Sequence, residues 1–166
     1  MNGLQSGAIG ATMQAHETMT KLSTPNLKKH PPRSPRVQLG GYVHLPRLLD
    51  KARATIARKN GEYNYDCGLD QHFFAFSGIT AKALLAEVRR GRSDTQMLAW
   101  VRGKSKRQPC EIAAWSAWLS TRSPGGADGH AWFAESVKKF GPKRDDIHGI
   151  FDLLDLDDYA SFGGKP

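Results

Sequence analysis

Apolar residues recur every three or four positions along most of this chain, which is the spacing of amphipathic helices. The clearest helix starts near Pro46, a residue favoured in the first helical turn, and ends at Asn60-Gly61. Its polar positions predict a basic outer face. That face consists of Arg47, Lys51 and Arg58, and the apolar stripe opposite consists of Leu45, Leu48, Leu49, Ala52 and Ile56.

Further helices are predicted wherever the same spacing lies between a capping residue or proline and a later glycine. Residues 62–67 alternate with period two instead, but no second segment of this kind is available to pair with them, so we expect an ordered extended loop. The predicted helices are a short one around 70–76, one after Thr80 that stops at Gly91, one from Ser93 to Gly103, one from Pro109 to Ser123, one from Asp128 to Gly141 and one around 147–154.

These elements predict an all-α fold, a small bundle of about six short helices with one extended loop around residues 62–67. We expect a single helical domain over 39–162, preceded by a proline-rich basic arm over 20–38 and followed by a tail over 163–166. Residues 1–19 are expected to be a disordered leader or the product of a misplaced start codon. The core is expected to be anchored by Trp100, Trp115, Trp118 and Trp132.

Composition narrows the class of protein. The chain has 166 residues, 39% of them hydrophobic, and no apolar run approaches the roughly 18 residues that a membrane span needs. Cys67 and Cys110 do not form the closely spaced pairs of a disulfide framework or a zinc site. No Lys or Arg precedes Lys21, which argues against a signal peptide. We therefore expect a cytoplasmic protein with no metal, no cofactor and no membrane partner.

The net charge of +8 is distributed unevenly. Residues 20–60 contain ten Lys or Arg against Asp50 alone, and residues 101–144 contain nine against three acids. Residues 145–166 contain six Asp against Lys165. This acidic end is expected to neutralise a basic face of the same fold or of a neighbouring copy.

Three segments resemble a family of small bacterial proteins known only as a domain of unknown function. They are GGYVHLPRLLDKARA at 40–54, GEYNYDCGLD at 61–70 and FDLLDLDDYASFGGK at 151–165, and they occur in this order. The resemblance implies a bacterial cytosolic source. It implies no reaction or ligand, so it assigns no residue a role.

Candidate chemistry is densest between residues 62 and 72. Cys67 lies just before a predicted helix, where a thiol can act as a nucleophile, and His44 or His72 could serve as its base. The alternative is an inert buried thiol. The residues predicted to bind a small polar ligand are Arg53, Tyr63, Tyr65, Asp66 and Asp70.

Three classes of function remain open from the sequence. The first is a non-enzymatic module that binds a small ligand or a protein partner through the loop over 63–72. The second is a Cys-dependent enzyme that uses Cys67 with His44 or His72. The third is a nucleic-acid-binding protein, because the basic stretches give an electrostatic footprint and the helix pair over 80–103 has the order of a helix-turn-helix.

Overall fold

The computed structural model describes residues 24–166, so the predicted leader over 1–19 lies outside the described residues. Across 24–166 the chain forms seven helices and no β-strand, which confirms the predicted all-α fold. The segment over 57–67 joins the first two helices through turns alone. The helices are α1 Leu45–Ile56, α2 Gly68–Ser77, α3 Ala81–Val88, α4 Asp94–Ser105, α5 Pro109–Ser120, α6 Gly126–Phe140 and α7 Ile150–Ser161.

Helix α1 lies in the main core, to which every other helix except α6 contributes buried residues. Its apolar stripe forms as predicted, and Leu45, Leu48 and Leu49 are completely buried. Phe73 of α2 and Phe151 of α7 are equally buried and belong to the same core cluster. Each of these side chains contributes about 2 kcal/mol of transfer free energy on burial, so the cluster provides the main driving force for folding.

The predicted basic outer face of α1 is wrong for two of its three residues. Arg47 and Lys51 are each only 3% exposed, whereas Arg58 lies at the surface. A polar stripe predicts solvent exposure only when no other element covers it. In this fold α7 covers one side of the polar stripe and residues 61–67 cover another, and both bring acceptors for the buried charges.

The basic arm packs on α1 through Arg33. Its guanidinium donates to both carboxylate oxygens of Asp50, at 2.7 and 2.8 Å, and to Oδ2 of Asp94 at the start of α4, at 2.5 Å. Leu27, earlier in the arm, is 1% exposed. One arginine therefore connects the arm, α1 and α4.

The acidic end of the chain pairs with basic residues of the same fold. Arg36 of the arm contacts Asp152 and Asp155 of α7. Arg47 of α1 holds Asp158 through two hydrogen bonds of 2.6 and 3.1 Å. These pairs fix the position of α7 along α1.

The tryptophans anchor the core less than predicted. Trp115 is 8% exposed and Trp100 packs partly against the core, but Trp118 and Trp132 are 48% and 52% exposed. Trp118 lies outside the narrow buried stripe of α5. Trp132 does not belong to the α6–α7 cluster, against which Phe133, Val137 and Phe140 of α6 pack. The prediction is wrong for these two because helical spacing does not show how wide a buried face is.

Helices α6 and α7 form a second, smaller core. Ile147, Leu153 and Leu156 are buried there, and the apolar side of α6 packs against them. No residue of α6 itself is buried. Among residues 24–166, every helix is too short or too polar to cross a membrane.

The Arg47–Asp158 pair provides a stability test. In Asp158→Ala the buried Arg47 guanidinium loses its carboxylate, which we expect to lower the free energy of unfolding by about 3–5 kcal/mol. Asp157→Ala is the matched control, because Asp157 bonds only to the neighbouring Ser161 among the described residues. We expect it to change stability by about 0.5 kcal/mol or less. Urea unfolding of both variants measures the difference, and equal losses would contradict the assigned role of the pair.

Candidate functional site

The buried carboxylate of Asp70 joins three parts of the chain. His44 Nε2, immediately before α1, lies 2.8 Å from Oδ1, and Lys51 Nζ of α1 lies 2.7 and 2.8 Å from the two oxygens. The backbone N–H groups of Asp66 and Cys67, at the start of α2, donate to Oδ2 at 2.9 and 3.3 Å. This carboxylate therefore closes the loop over 57–67 onto α1.

Its hydrogen bonds and the charge of Lys51 keep Asp70 ionised. Burial alone disfavours a carboxylate, but the hydrogen bond from His44 and the charge and hydrogen bonds of Lys51 outweigh it and hold the pKa of Asp70 below its usual value. Asp70 is therefore ionised and accepts every hydrogen bond it makes. His44 Nε2 must accordingly carry a proton.

The other ring nitrogen of His44 is a free acceptor. Complete burial lowers the pKa of His44, and the nearby charges of Lys51 and Arg47 act in the same direction, so the ring is neutral near pH 7. Since Nε2 carries the proton, Nδ1 has a lone pair. Among residues 24–166, Nδ1 is buried without a hydrogen-bond partner. His44 also adopts a left-handed backbone conformation, with φ of 64°, which is uncommon for residues other than glycine and occurs often at functional positions.

Lys51 connects this cluster to Cys67. Its ammonium lies 3.3 Å from Cys67 Sγ and 3.1 Å from the carbonyl oxygen of Asn64, in addition to its contacts with Asp70. Cys67 is the N-cap residue of α2 and is half-buried. This contact places a hydrogen-bond donor beside the sulfur.

A pocket of about 730 Å³ opens beside the cluster, between α1, residues 61–67, the end of α6 and α7. We call it the α1–α7 pocket. His44 forms part of its lining. Its lining mixes polar and apolar side chains. We call the polar set the polar wall (Arg47, Lys51, Tyr63, Asn64 and Cys67) and the apolar set the apolar wall (Leu27, Leu69, Phe140, Leu154 and Phe162).

Tyr63 is fixed in the polar wall by α7. Its hydroxyl donates to Asp158 Oδ1 at 2.8 Å, and the Arg47 guanidinium lies 5.5 Å from its ring centroid. Burial and the neighbouring Asp158 both raise the pKa of Tyr63, so it remains a neutral phenol. The polar wall is thus rigidly held by buried ion pairs.

Only part of the predicted ligand-binding set meets at this pocket. Tyr63 lines the pocket, and Asp70 lies outside the lining but binds Lys51, which lines it. Tyr65 donates to the carbonyl oxygen of Ala81 at 2.7 Å, and Arg53 pairs with Asp94 at 2.7 Å. Asp66 bonds to Gln71.

The structure separates the two histidines predicted as partners of Cys67. His44 bonds to Asp70, as described above. His72 packs edge-on against Trp118 of α5, with ring centroids 5.3 Å apart, and burial and the charge of Arg122 lower its pKa. Neither histidine is hydrogen-bonded to the sulfur.

Sequence reasoning missed Lys51, Arg47 and Asp158 as site residues. Helical spacing predicts the two cations on an exposed helix face and predicts Asp158 only as part of an acidic end. The excess of Asp near the C-terminus beside a basic α1 was the one available signal, since buried cations require acidic partners.

Fold and site together define an all-helical domain with a two-walled pocket over a buried Asp–Lys–His cluster. The family model described as "Domain of unknown function (DUF5069)" matches residues 29–160 of the chain, and the chain belongs to this family. The match includes α1, the pocket cluster and α7 as far as Ala160. No curated protein matches the chain.

The cluster makes stability depend on pH. The pKa of His44 in the folded state lies below its ordinary value of 6.5, so the unfolded chain takes up a proton first as the pH falls. We expect the free energy of unfolding to fall below pH 6.5, by up to about 1.4 kcal/mol per pH unit. The lowered pKa of Asp70 keeps its contribution intact down to about pH 4, so the window from pH 4.5 to 6.5 isolates the histidines.

His44→Asn tests this assignment, because asparagine does not titrate and tolerates the left-handed backbone. Urea unfolding at several pH values should show a flatter dependence for His44→Asn than for the wild type. His72→Gln is the control and should retain most of the dependence, since His72 is only partly buried. An unchanged pH dependence in His44→Asn would show that this histidine does not remain neutral in the folded state.

Proposed function

We propose that this protein binds a small molecule, and that the α1–α7 pocket is its binding site. The observation that carries the proposal is the free Nδ1 of His44, a buried acceptor on a residue that lines the pocket. An unpaired buried acceptor costs about 1–3 kcal/mol. A bound molecule that displaces the side chains covering Nδ1 and donates a hydrogen bond to it would recover that free energy.

The pocket has the dimensions and composition of a ligand site. Its volume of about 730 Å³ lies within the range of roughly 300–1,000 Å³ that small-molecule sites occupy. Combining an apolar wall with a few fixed polar groups is also typical of such sites. Here buried ion pairs already fix the side chains of the polar wall, so ligand binding costs little of their conformational entropy.

The balance of charge favours a neutral or zwitterionic ligand. Arg47 and Lys51 are neutralised by Asp158 and Asp70, as described above. The other charged lining residues make no ion pair with any residue in 24–166, and they comprise two cations and two acids: Lys28, Lys139, Glu62 and Asp157. A strongly charged ligand of either sign would gain little from this arrangement.

The two other function classes have less support in the geometry. A Cys-dependent enzyme needs a base beside Cys67, and both predicted histidines are engaged elsewhere. A helix-turn-helix needs a second helix free to enter a DNA groove. The start of α4 is instead held to the arm and α1 through Asp94.

An NMR screen tests the proposal. Neutral and zwitterionic fragments are added to ¹⁵N-labelled Cys67→Ser protein, which makes the result independent of thiol chemistry. We expect hits to shift the amides of Tyr63, Asn64 and Ser161 together. A lack of hits would contradict the proposal, and so would hits that cluster only at the separate 640 Å³ pocket beside Gly40 and Ile112.

A filled pocket provides the matched variant. Leu154→Trp adds bulk to the apolar wall, and we expect it to abolish fragment binding at the α1–α7 pocket. Leu85→Trp is the control, since Leu85 is also half-buried but lies on α3, outside the pocket. Binding that survives in Leu154→Trp would exclude this pocket as the site.

A further inference from the structure

We propose that Cys67 is a covalent modification site at which a small zwitterionic disulfide forms a mixed disulfide with the protein. The inference rests on the proposed function, because the disulfide must enter the α1–α7 pocket to reach the sulfur. Three independent features of the structure support it: the contact between Lys51 and Cys67, the free acceptor on His44 and the charges around the pocket.

The first feature is the environment of the sulfur. Cys67 lines the pocket at the N-cap of a ten-residue helix, and the Lys51 ammonium lies 3.3 Å from its Sγ. Thiolates, not thiols, attack disulfides, and a thiolate accepts a hydrogen bond from the Lys51 ammonium more strongly than a thiol does, although Asp70 balances the charge of that ammonium. Lys51 is held in place by Asp70 and Asn64, so the cation cannot swing away from the sulfur.

The second feature is His44, which points to a ligand independently of the cysteine. Its side chain is fully buried, it lines the same pocket, and its Nδ1 has no hydrogen-bond partner within 24–166. The neutral ring offers a lone pair. An amide or ammonium N–H of a bound molecule is the kind of donor that would satisfy it.

The third feature selects the class of disulfide. Lys28 and Lys139 supply positive charge to the pocket, Glu62 and Asp157 supply negative charge, and none of the four forms an ion pair within 24–166. Low-molecular-weight thiols built from amino acids carry carboxylates and an ammonium on one small body. Their charges complement a pocket lined by both signs.

The reaction is a thiol–disulfide exchange, written here for a small disulfide RSSR. Cys67 Sγ gives up its proton to solvent and attacks one sulfur of RSSR, forming the bond between Sγ and SR. The S–S bond of the reagent breaks, and the second sulfur leaves as RS⁻, which takes up a proton. The disulfide itself is the oxidant, and one RSH is released for each protein modified.

The experiment compares two cysteines within the unmodified full chain. Cys110 is exposed whereas Cys67 is half-buried, so access alone would make Cys110 react first. With cystine, a net-neutral zwitterion at pH 7, we expect Cys67 to be modified about tenfold faster than Cys110. Intact mass and peptide mapping over time give both rates. Equal rates, or a faster Cys110, would overturn the proposal.

A neutral reagent tests the class of ligand. Bis(2-hydroxyethyl) disulfide carries no charge, so the pocket charges do not assist it. We expect the preference for Cys67 over Cys110 to be severalfold smaller with this reagent than with cystine. The same preference with both reagents would overturn the assignment of a zwitterionic ligand.

A variant tests the role of Lys51. In Lys51→Met the sulfur loses its cation, and we expect the rate at Cys67 to fall about tenfold while the rate at Cys110 stays unchanged. Lys82→Met on α3 is the control and should leave both rates unchanged. An unchanged Cys67 rate in folded Lys51→Met would overturn the role of Lys51. If Lys51→Met does not fold, the two-cysteine comparison in the wild type still decides the proposal.

The NMR screen and the two-cysteine comparison test ligand binding and modification of Cys67 separately. The NMR screen uses Cys67→Ser protein and detects binding without any thiol chemistry. Fragment binding in that protein, together with no preference for Cys67 in the wild type, would leave the binding site intact and overturn the modification alone.

Discussion

The arrangement around α1 depends on one buried carboxylate. Removing a charge from water costs several kcal/mol, and Asp70 recovers it only because hydrogen-bond donors from three parts of the chain converge on its two oxygens. Each donor is therefore fixed in position by its hydrogen bond to Asp70. The start of α1, the turn before α2 and the position of Lys51 become one rigid unit, and the polar wall of the pocket is built on it.

A helix that is buried on nearly every side would ordinarily be apolar all round. Helix α1 instead keeps charged residues, and each has a partner on a different element: Arg33 for Asp50, Asp158 for Arg47 and Asp70 for Lys51. A shift of α1 by one turn would leave several buried charges unpaired. Ion pairs of this kind contribute less to net stability than to the choice of a single packing arrangement.

Local signals in the sequence were sufficient for the fold class and for most helix positions. Spacing of apolar residues and capping residues act within about ten residues, and they located α1, α3, α4 and α5 closely. The cluster was not predictable in the same way, because His44 and Asp70 are 26 positions apart and Arg47 and Asp158 are 111 apart. A helical period distinguishes faces of a helix but cannot show that two other elements will cover the polar face.

The attachment of α6 has a consequence for how the fold opens. This helix contributes Lys139 and Phe140 to the pocket, yet it packs mainly on α7 through a cluster separate from the central core. Its detachment breaks that small cluster and leaves the packing of α1 intact. Regions with few buried contacts open at a lower free energy than the whole domain. Amide exchange in α6 should therefore proceed through such partial opening, and one edge of the pocket can be exposed while the buried charges remain paired.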